Sequence, residues 1–315
     1  MFSNPEYVYE VYKERSFSKA ARNLFISQPA LSVTIKRIEN RIGCPIFDRS
    51  TNPVGLTECG EKYIEVIKQY MDLQNGFMNY LSNLEELKIG NINVGGSNLF
   101  TSCILPPIIA LFTRRFPTVE INVVEANTPL LDQKLMDGSL DLIVDNFVFD
   151  ADSHSSVLYR MENLLLAVPA AFAVNSQLTA YQLSREDIVS GRFLDDSVAP
   201  VPFEAFAKEP FILLKAGNDT RDRAMNIFER HGIKPNVLLT LDQQMTSYNV
   251  SCSGIGISFI TDTLVMNTYQ NPNVVFYKLD PEYSRRALCF FYKNGKYVTR
   301  AMEEFLKIAE EISKA

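Results

Sequence analysis

Residues Ser16 to Ser50 read SFSKAARNLFISQPALSVTIKRIENRIGCPIFDRS, and the fold follows from this stretch. Ser18 is placed to cap a helix from Lys19 to Leu24, in which Ala20 and Ala21 are small enough for a neighbouring helix to approach closely. Ser27 caps the next helix, with Pro29 in its first turn and Leu31, Ile35 and Ile38 at i, i+4 and i+7 on an inward face. Only Phe25, Ile26 and Ser27 separate the two. Two short helices, a tight turn and an amphipathic second partner predict a helix-turn-helix. Upstream, Asn4 and Pro5 start a first helix with Tyr7, Val8, Val11 and Tyr12 as its apolar stripe. Downstream, Phe47 to Leu56 reads as a hairpin wing with a polar, turn-forming tip. Residues 1–57 are thus expected to form an all-α winged helix-turn-helix.

Such a module lays its third helix in the major groove, N-terminal residues toward the base edges. Gln28, Ser32 and Val33 lie off the Leu31/Ile35/Ile38 stripe. Gln bonds adenine bidentately, Ser bonds several bases, and Val offers only apolar contact to a thymine methyl. Lys36 and Arg37 are placed to reach phosphates, and Arg49 on the wing a phosphate or the minor groove. With Ser18, Lys19, Ser27 and Pro29 at the helix starts, these make up the candidate DNA-contacting set. Charge agrees. Between Arg15 and Arg49 seven basic residues face two acidic ones, a local +5 on a chain of net charge −6. A basic segment on an acidic chain is the footprint of a nucleic-acid-binding module joined to something else.

The whole chain has 315 residues, 46% hydrophobic and 22% charged, an ordinary globular composition with room for two or three domains. No stretch approaches the roughly 20 apolar residues of a membrane helix. The N-terminus carries no basic and apolar signal pattern, so a cytoplasmic location is expected. Five scattered cysteines without a CxxC pair support neither a disulfide framework nor a zinc site. There are only two histidines, His154 and His231. No GxxxxGK[ST], HExxH or GxSxG is present, and no cofactor is called for.

Beyond the wing, Tyr63, Val66, Tyr70, Leu73, Phe77, Tyr80, Leu84 and Leu87 alternate three and four apart. That spacing predicts the a/d seam of a two-helix coiled coil along a linker helix over 58–88, roughly 46 Å long. A dimer through this seam pairs two recognition helices on two half-sites.

From residue 91 a different pattern begins. Strands at 92–94, 119–125 and 140–145 alternate with helices at 102–115 and 130–136, a βαβαβ order. A similar run recurs with strands at 211–214, 237–241 and 256–260 and helices at 219–231 and 243–252. Two such lobes predict a clamshell with a cleft. Parallel crossovers put the strand C-terminal ends on one edge, where ligands bind at helix N-termini. Ser97, Asn98, Asn127, Thr128 and Asn146 fall on that edge, and exposed backbone N–H groups there favour an anionic group. For Ser97, Thr128 and Asn146, and for Asp219 and Thr220 at the start of the helix at 219–231, the competing reading is helix capping.

Taken together, Ser16-Phe17, Ala20-Ala21, Leu24, Ser27 to Ser32, Ile38-Glu39, Gly43, Phe47, Arg49 and Leu56-Thr57 resemble the winged helix-turn-helix of LysR-type transcriptional regulators. Val33 stands where that family often has Arg, so base preference is not carried over there. DGSLDLIV (137–144), ERHGIKPNV (229–237) and VSCSGIGISFI (250–260) are similar to the family's effector-binding domain, itself like type 2 periplasmic binding proteins. The last segment lacks the proline that usually follows its strand.

The resemblance implies an α+β chain with three parts: the winged domain (1–57), the dimerising linker (58–88) and a two-lobed α/β domain (91–315). Lobe I would comprise about 91–163 and 267–315, and lobe II about 164–266. It carries ligand positions onto Ser97, Thr128 and Asn146, with Asp219 and Thr220 facing them from the other lobe. Asp219 replaces an uncharged residue and suggests an effector with a positive or donor group there. The implied partners are double-stranded DNA, a small-molecule effector, a homodimer that assembles to a homotetramer, and RNA polymerase; no membrane is implied. Two other classes remain at this point: a cytoplasmic solute-binding protein whose N-terminal helices serve only assembly, and a cleft enzyme acting on a small acid.

Overall fold

A computed structural model describes residues 4–84 and 90–314, the side chains of 82–84 excepted. The chain divides into two units, Met1–Glu86 and Leu87–Ala315.

The first unit runs α1 (Pro5–Glu14), α2 (Phe17–Asn23), α3 (Gln28–Ile42), the strands β1 (Phe47–Asp48) and β2 (Gly55–Leu56), and α4 (Glu58–Leu84). The strands pair antiparallel, Phe47 opposite Leu56, and form the wing. Ser27 caps α3 by accepting from the Ala30 N–H at 3.3 Å. The cap of α2 is Ser16, which accepts from the Lys19 N–H, and not Ser18, which lies inside the helix. The helix begins two residues earlier than expected because Phe17 packs against the core. Asn4 adopts a left-handed conformation without a side-chain capping bond. Val8, Val11, Ala20, Ala21, Leu31, Ile35 and Ile38 form one core with Ile46, Phe47, Tyr63, Ile64 and Ile67.

Two expectations are corrected here. Tyr63 does not open the coiled-coil seam; it is buried in this core, because the first turns of α4 pack on the winged domain before the helix leaves it. And Cys44 and Cys59 are bonded to each other, with Cα atoms 6.7 Å apart. Their separation in sequence concealed this, since the wing between them folds back and brings its two ends together. Further along α4, Leu73 and Phe77 are 76% and 59% exposed, and Val66, Tyr70 and Tyr80 are exposed beside them. The Leu84 side chain, Leu87 and the end of the linker at 85–88 lie outside the described residues.

The second unit opens with β3 (Gly90–Gly96), α5 (Asn98–Cys103), α6 (Leu105–Arg115), β4 (Val119–Glu125), α7 (Thr128–Met136), β5 (Leu142–Asp145) and the long β6 (His154–Pro169). The expected helix at 102–115 is two helices broken at Ile104, and Pro106 and Pro107 occupy the first turn of α6, where backbone N–H groups need no partner. There follow β7 (Gln182–Leu183), α8 (Arg185–Val189), β8 (Pro210–Leu214), α9 (Asp219–Arg230), β9 (Asn236–Leu241), α10 (Gln244–Cys252) and β10 (Ile257–Thr261). The unit closes with α11 (Asp262–Met266), β11 (Val274–Lys278), α12 (Pro281–Ser284), β12 (Arg285–Lys293) and α13 (Arg300–Ser313).

Strands β4, β3 and β5 are parallel neighbours, with β12 antiparallel between β5 and the first part of β6. The second part of β6 pairs with β10 and β11, and β10, β8 and β9 run parallel beside it. β6 therefore passes from one lobe into the other. β11 belongs with the second lobe, so the return to the first is made by β12 from Arg285 and not from residue 267 as expected. An unbroken apolar run such as Val274 to Tyr277 fits either sheet, and only pairing with Leu165–Pro169 decides. Gly95 of β3 has no room for a side chain: a Cβ would stand 2.6 Å from Leu140 and 2.7 Å from Leu131. That closeness seats α7 on the sheet edge where the cleft begins. Among the described residues no helix is long and apolar enough to cross a membrane, and no group of three or more acidic, His or Cys residues could hold a metal ion.

Candidate nucleic-acid interface and ligand cleft

Burial of Leu31, Ile35 and Ile38 turns the rest of α3 outward. Gln28, Pro29, Val33, Lys36 and Arg37 are exposed and Ser32 partly so; Ser18, Lys19 and Ser27 are exposed nearby. The predicted residues of α2 and α3, and Ser27 before α3, are thus accessible at the surface of the first unit. Arg49, exposed on the wing, also makes contacts within the first unit. Its guanidinium pairs with Glu39 at 3.0 Å, lies 3.4 Å from the Ser32 hydroxyl and sits over the Phe17 ring. Glu39 in turn accepts from the Ile46 and Phe47 N–H groups. One carboxylate from the recognition helix therefore gathers the start of the wing and its arginine, and Arg49 anchors the wing. Glu39 was legible only as a family match.

In the second unit a cavity of about 50 Å³ lies between the lobes. Of the seven candidate ligand residues, Ser97, Thr128, Asn146, Asp219 and Thr220 line it. Asn98 and Asn127 are not among its lining residues. Asn98 donates to Glu125 at 3.2 Å, and Asn127 caps α7 by accepting from the Leu130 N–H at 3.1 Å. The starts of α7, α9 and α10 all reach the cavity, bringing positive helix ends to it.

Of the four charged lining residues, Asp219 was predicted and Arg286, Asp145 and Asp242 were missed. Arg286, fully buried on β12, directs its Nε and Nη2 at Glu162, its cross-strand neighbour, at 2.8 and 2.7 Å. Its Nη1 reaches Asp219 on α9 of the other lobe and donates to Thr220 at 3.2 Å. Asp219 also accepts from Arg223 at 2.9 Å. Arg286 is thus a latch between lobes. Asp145, at the end of β5, accepts from the Asn146 and Phe147 N–H groups and from the Thr128 hydroxyl.

Burial pushes the Asp145 carboxyl above its ordinary range, against the opposing pull of those donors and of Arg286. Burial also works to raise Glu162, yet Arg286, the Thr263 hydroxyl and Arg160 together hold it below the ordinary value. Asn146 donates to Glu162 at 3.1 Å, which ties the third predicted strand end into the same network. The paired arginines that open β12 do not announce which of them is buried, and the partners of Arg286 lie far away in sequence. The arrangement can hold and orient a small polar molecule. His154 and His231 pair with Asp132 and Glu204 and are not among the lining residues.

Residues 3–61 match the family described as bacterial regulatory helix-turn-helix protein, lysR family, and residues 85–313 match the LysR substrate binding domain. Among curated relatives, the uncharacterized HTH-type transcriptional regulator YcgK of Bacillus subtilis is 28% identical, covering 97% of this chain and 93% of its own. Among solved structures, a full-length OxyR variant from Pseudomonas aeruginosa is 20% identical with a TM-score of 0.67, covering 97% of this chain and 96% of that one. Full-length CbnR, solved in complex with its target DNA, is 16% identical with a TM-score of 0.61, covering 98% of both chains. These two structural likenesses speak to the fold.

Proposed function

The chain belongs to the LysR-type transcriptional regulators, and from that premise we propose that α3 reads operator bases while the cleft behind Ser97 and Thr128 takes the effector. It is a DNA-binding regulator with an effector-binding domain, of a family that regulates transcription and forms oligomers. The solute-binding and enzyme alternatives give way to this. The observation that carries the finer reading is the outward face of α3, where Gln28, Ser32, Val33, Lys36 and Arg37 are presented while the same helix buries its apolar stripe. Arg49 serves this face by fixing the wing through Glu39.

The effector we propose is small and carries an anionic group. The lining as a whole is not electropositive, since Asp145, Asp219 and Asp242 stand against Arg286. An anion is therefore held by exchange: it takes Arg286 and the N–H groups at the starts of α7, α9 and α10, and Asp219 gives way. That exchange breaks the contact between lobes, and a ligand with different affinity for the two lobe arrangements shifts their balance. Asp219, once released toward the ligand, suits a donor group elsewhere on it. The exposed stripe from Val66 to Tyr80 supports a homodimer through the linker helix; assembly to a tetramer and work beside RNA polymerase in the cytoplasm are proposed from membership of the family alone.

One experiment tests this. Full-length protein selects duplexes from a random-sequence library, and the effect of the co-purified small molecule on that binding is measured by titration. Ser97→Ala and Thr128→Val should each weaken the ligand's effect by about 1–3 kcal/mol and leave ligand-free DNA affinity unchanged. An unaltered ligand response in both variants moves the effector site elsewhere.

A further inference from the structure

We infer that Cys44 and Cys59 form a reversible thiol–disulfide site that staples the base of the wing. Cys44 follows Gly43, the residue that ends the recognition helix α3, and Cys59 is the second residue of the linker helix α4. The bond closes a loop of separation 15 that contains the entire wing.

What brings the two sulfurs together is independent of the bond itself. The Thr57 N–H donates to the Ile46 carbonyl at 3.0 Å, and the Thr57 hydroxyl donates to the Pro45 carbonyl at 2.6 Å. Glu39 holds the Ile46 N–H at 2.9 Å. Gly60 lies against the same segment so closely that a Cβ there would overlap the Ile46 carbonyl oxygen. Residues 44–46 and 57–60 therefore stay side by side when the thiols are reduced. Two thiols held at a Cα separation of 6.7 Å, inside the range a disulfide spans, meet at a far higher effective concentration than either meets a small thiol. Both cysteines are partly exposed, so a small oxidant reaches them. The other three differ: Cys103 and Cys289 are buried and Cys252 half-buried, and burial pushes all three thiols up, which makes them poor nucleophiles.

The oxidant is a low-molecular-weight disulfide. One cysteine thiolate attacks a sulfur of it, forming a mixed disulfide and expelling one small thiolate. The second cysteine thiolate attacks the protein sulfur of that mixed disulfide and expels the other. The pair loses two protons and two electrons, the small disulfide becomes two thiols, and excess thiol reverses both steps. Fixing the wing beforehand lowers the ordering cost of DNA binding, so the oxidised protein should hold DNA about threefold or more tightly than the reduced one.

The test uses the full-length chain equilibrated in buffers of graded reduced-to-oxidised glutathione ratio, then acid-quenched and alkylated for mass spectrometry. The expected result is a single transition in which Cys44 and Cys59 lose alkylation together while the other three cysteines keep it. Across that transition amide exchange in residues 47–57 slows, and affinity for a duplex selected from a random library rises. Cys44→Ser with Cys59→Ser should abolish the redox dependence; the wild-type titration stands alone if that variant does not fold. The inference is overturned if the pair stays reduced in fully oxidised glutathione, stays bonded in excess thiol, or interconverts with exchange and affinity unchanged.

Discussion

Arg286 sits fully buried between Glu162 and Asp219, and its removal strips the buried Glu162 carboxylate of its hydrogen-bonded counter-charge. Breaking one side of such a pair costs about 3–5 kcal/mol. Denaturant unfolding of Arg286→Ala should show a loss of that size, and adding Glu162→Gln should return a good part of it. A double variant as unstable as the single one would mean that the loss is packing and not charge. Asp145 offers a test with pH. Its folded carboxyl is raised above the ordinary 3.8 by burial, so the native state binds its proton before the unfolded state does. The ionised form therefore carries a penalty at neutral pH, and wild-type stability gains as pH falls through the raised value toward the ordinary one. Asp145→Asn has no such gain. Relative to wild type the variant should look best near neutral pH and worse as the solution is acidified, followed by thermal unfolding; a difference that does not change with pH would refute the assignment. These two residues also mark how far the site was readable. Ser97 and Thr128 could be proposed because hydroxyls at strand ends and helix starts are local signals, whereas Thr220 came only from the family resemblance. Arg286 and Asp145 acquire meaning only through cross-strand register and lobe contact, which link residues far apart in sequence.

The linker helix α4 shows the same division at the level of elements. Its period was plain in the sequence, and so was the βαβαβ order of the first lobe, because hydrophobic spacing is local. Less plain was where the stripe changes partner. Tyr63 packs with Ile64, Ile67 and the winged domain, whereas Leu73, three steps later in the same pattern, is left 76% exposed. Periodicity says that a face is apolar and not against what it packs. The lobe of β11 was misassigned for a like reason, since its unbroken apolar run suited either sheet. If the exposed stretch is a dimer seam, Leu73→Lys places a charge between apolar side chains, a cost of several kcal/mol unless the helices part. A 1–90 fragment should sediment as a dimer and its Leu73→Lys variant as a monomer at the same concentration. A variant that remains dimeric removes this face from the interface.

At the scale of the whole molecule, an acidic chain binds a polyanion through a short basic segment, so its affinity depends on the few phosphates that segment reaches. With about three to four phosphates per half-site and two half-sites per dimer, log K should fall against log salt with a slope of roughly −5 to −7, at about −0.9 for each phosphate neutralised. Lys36 and Arg37 are the exposed cations on α3 proposed for this task, while Arg49 is already committed to Glu39 at 3.0 Å. The two classes should therefore separate. Lys36→Ala removes one phosphate contact from each protomer and flattens the slope by about 2, weakening selected and random duplexes alike. Arg49→Ala should loosen the wing and lower affinity mainly by destabilising the first unit, with a smaller change of slope. The dimer enters through the factor of two. A flattening of about 1 for Lys36→Ala would mean that a single protomer engages phosphates at that position, and no flattening would take Lys36 off the DNA altogether. Titrations at several salt concentrations on a duplex selected by the full-length protein supply the slopes.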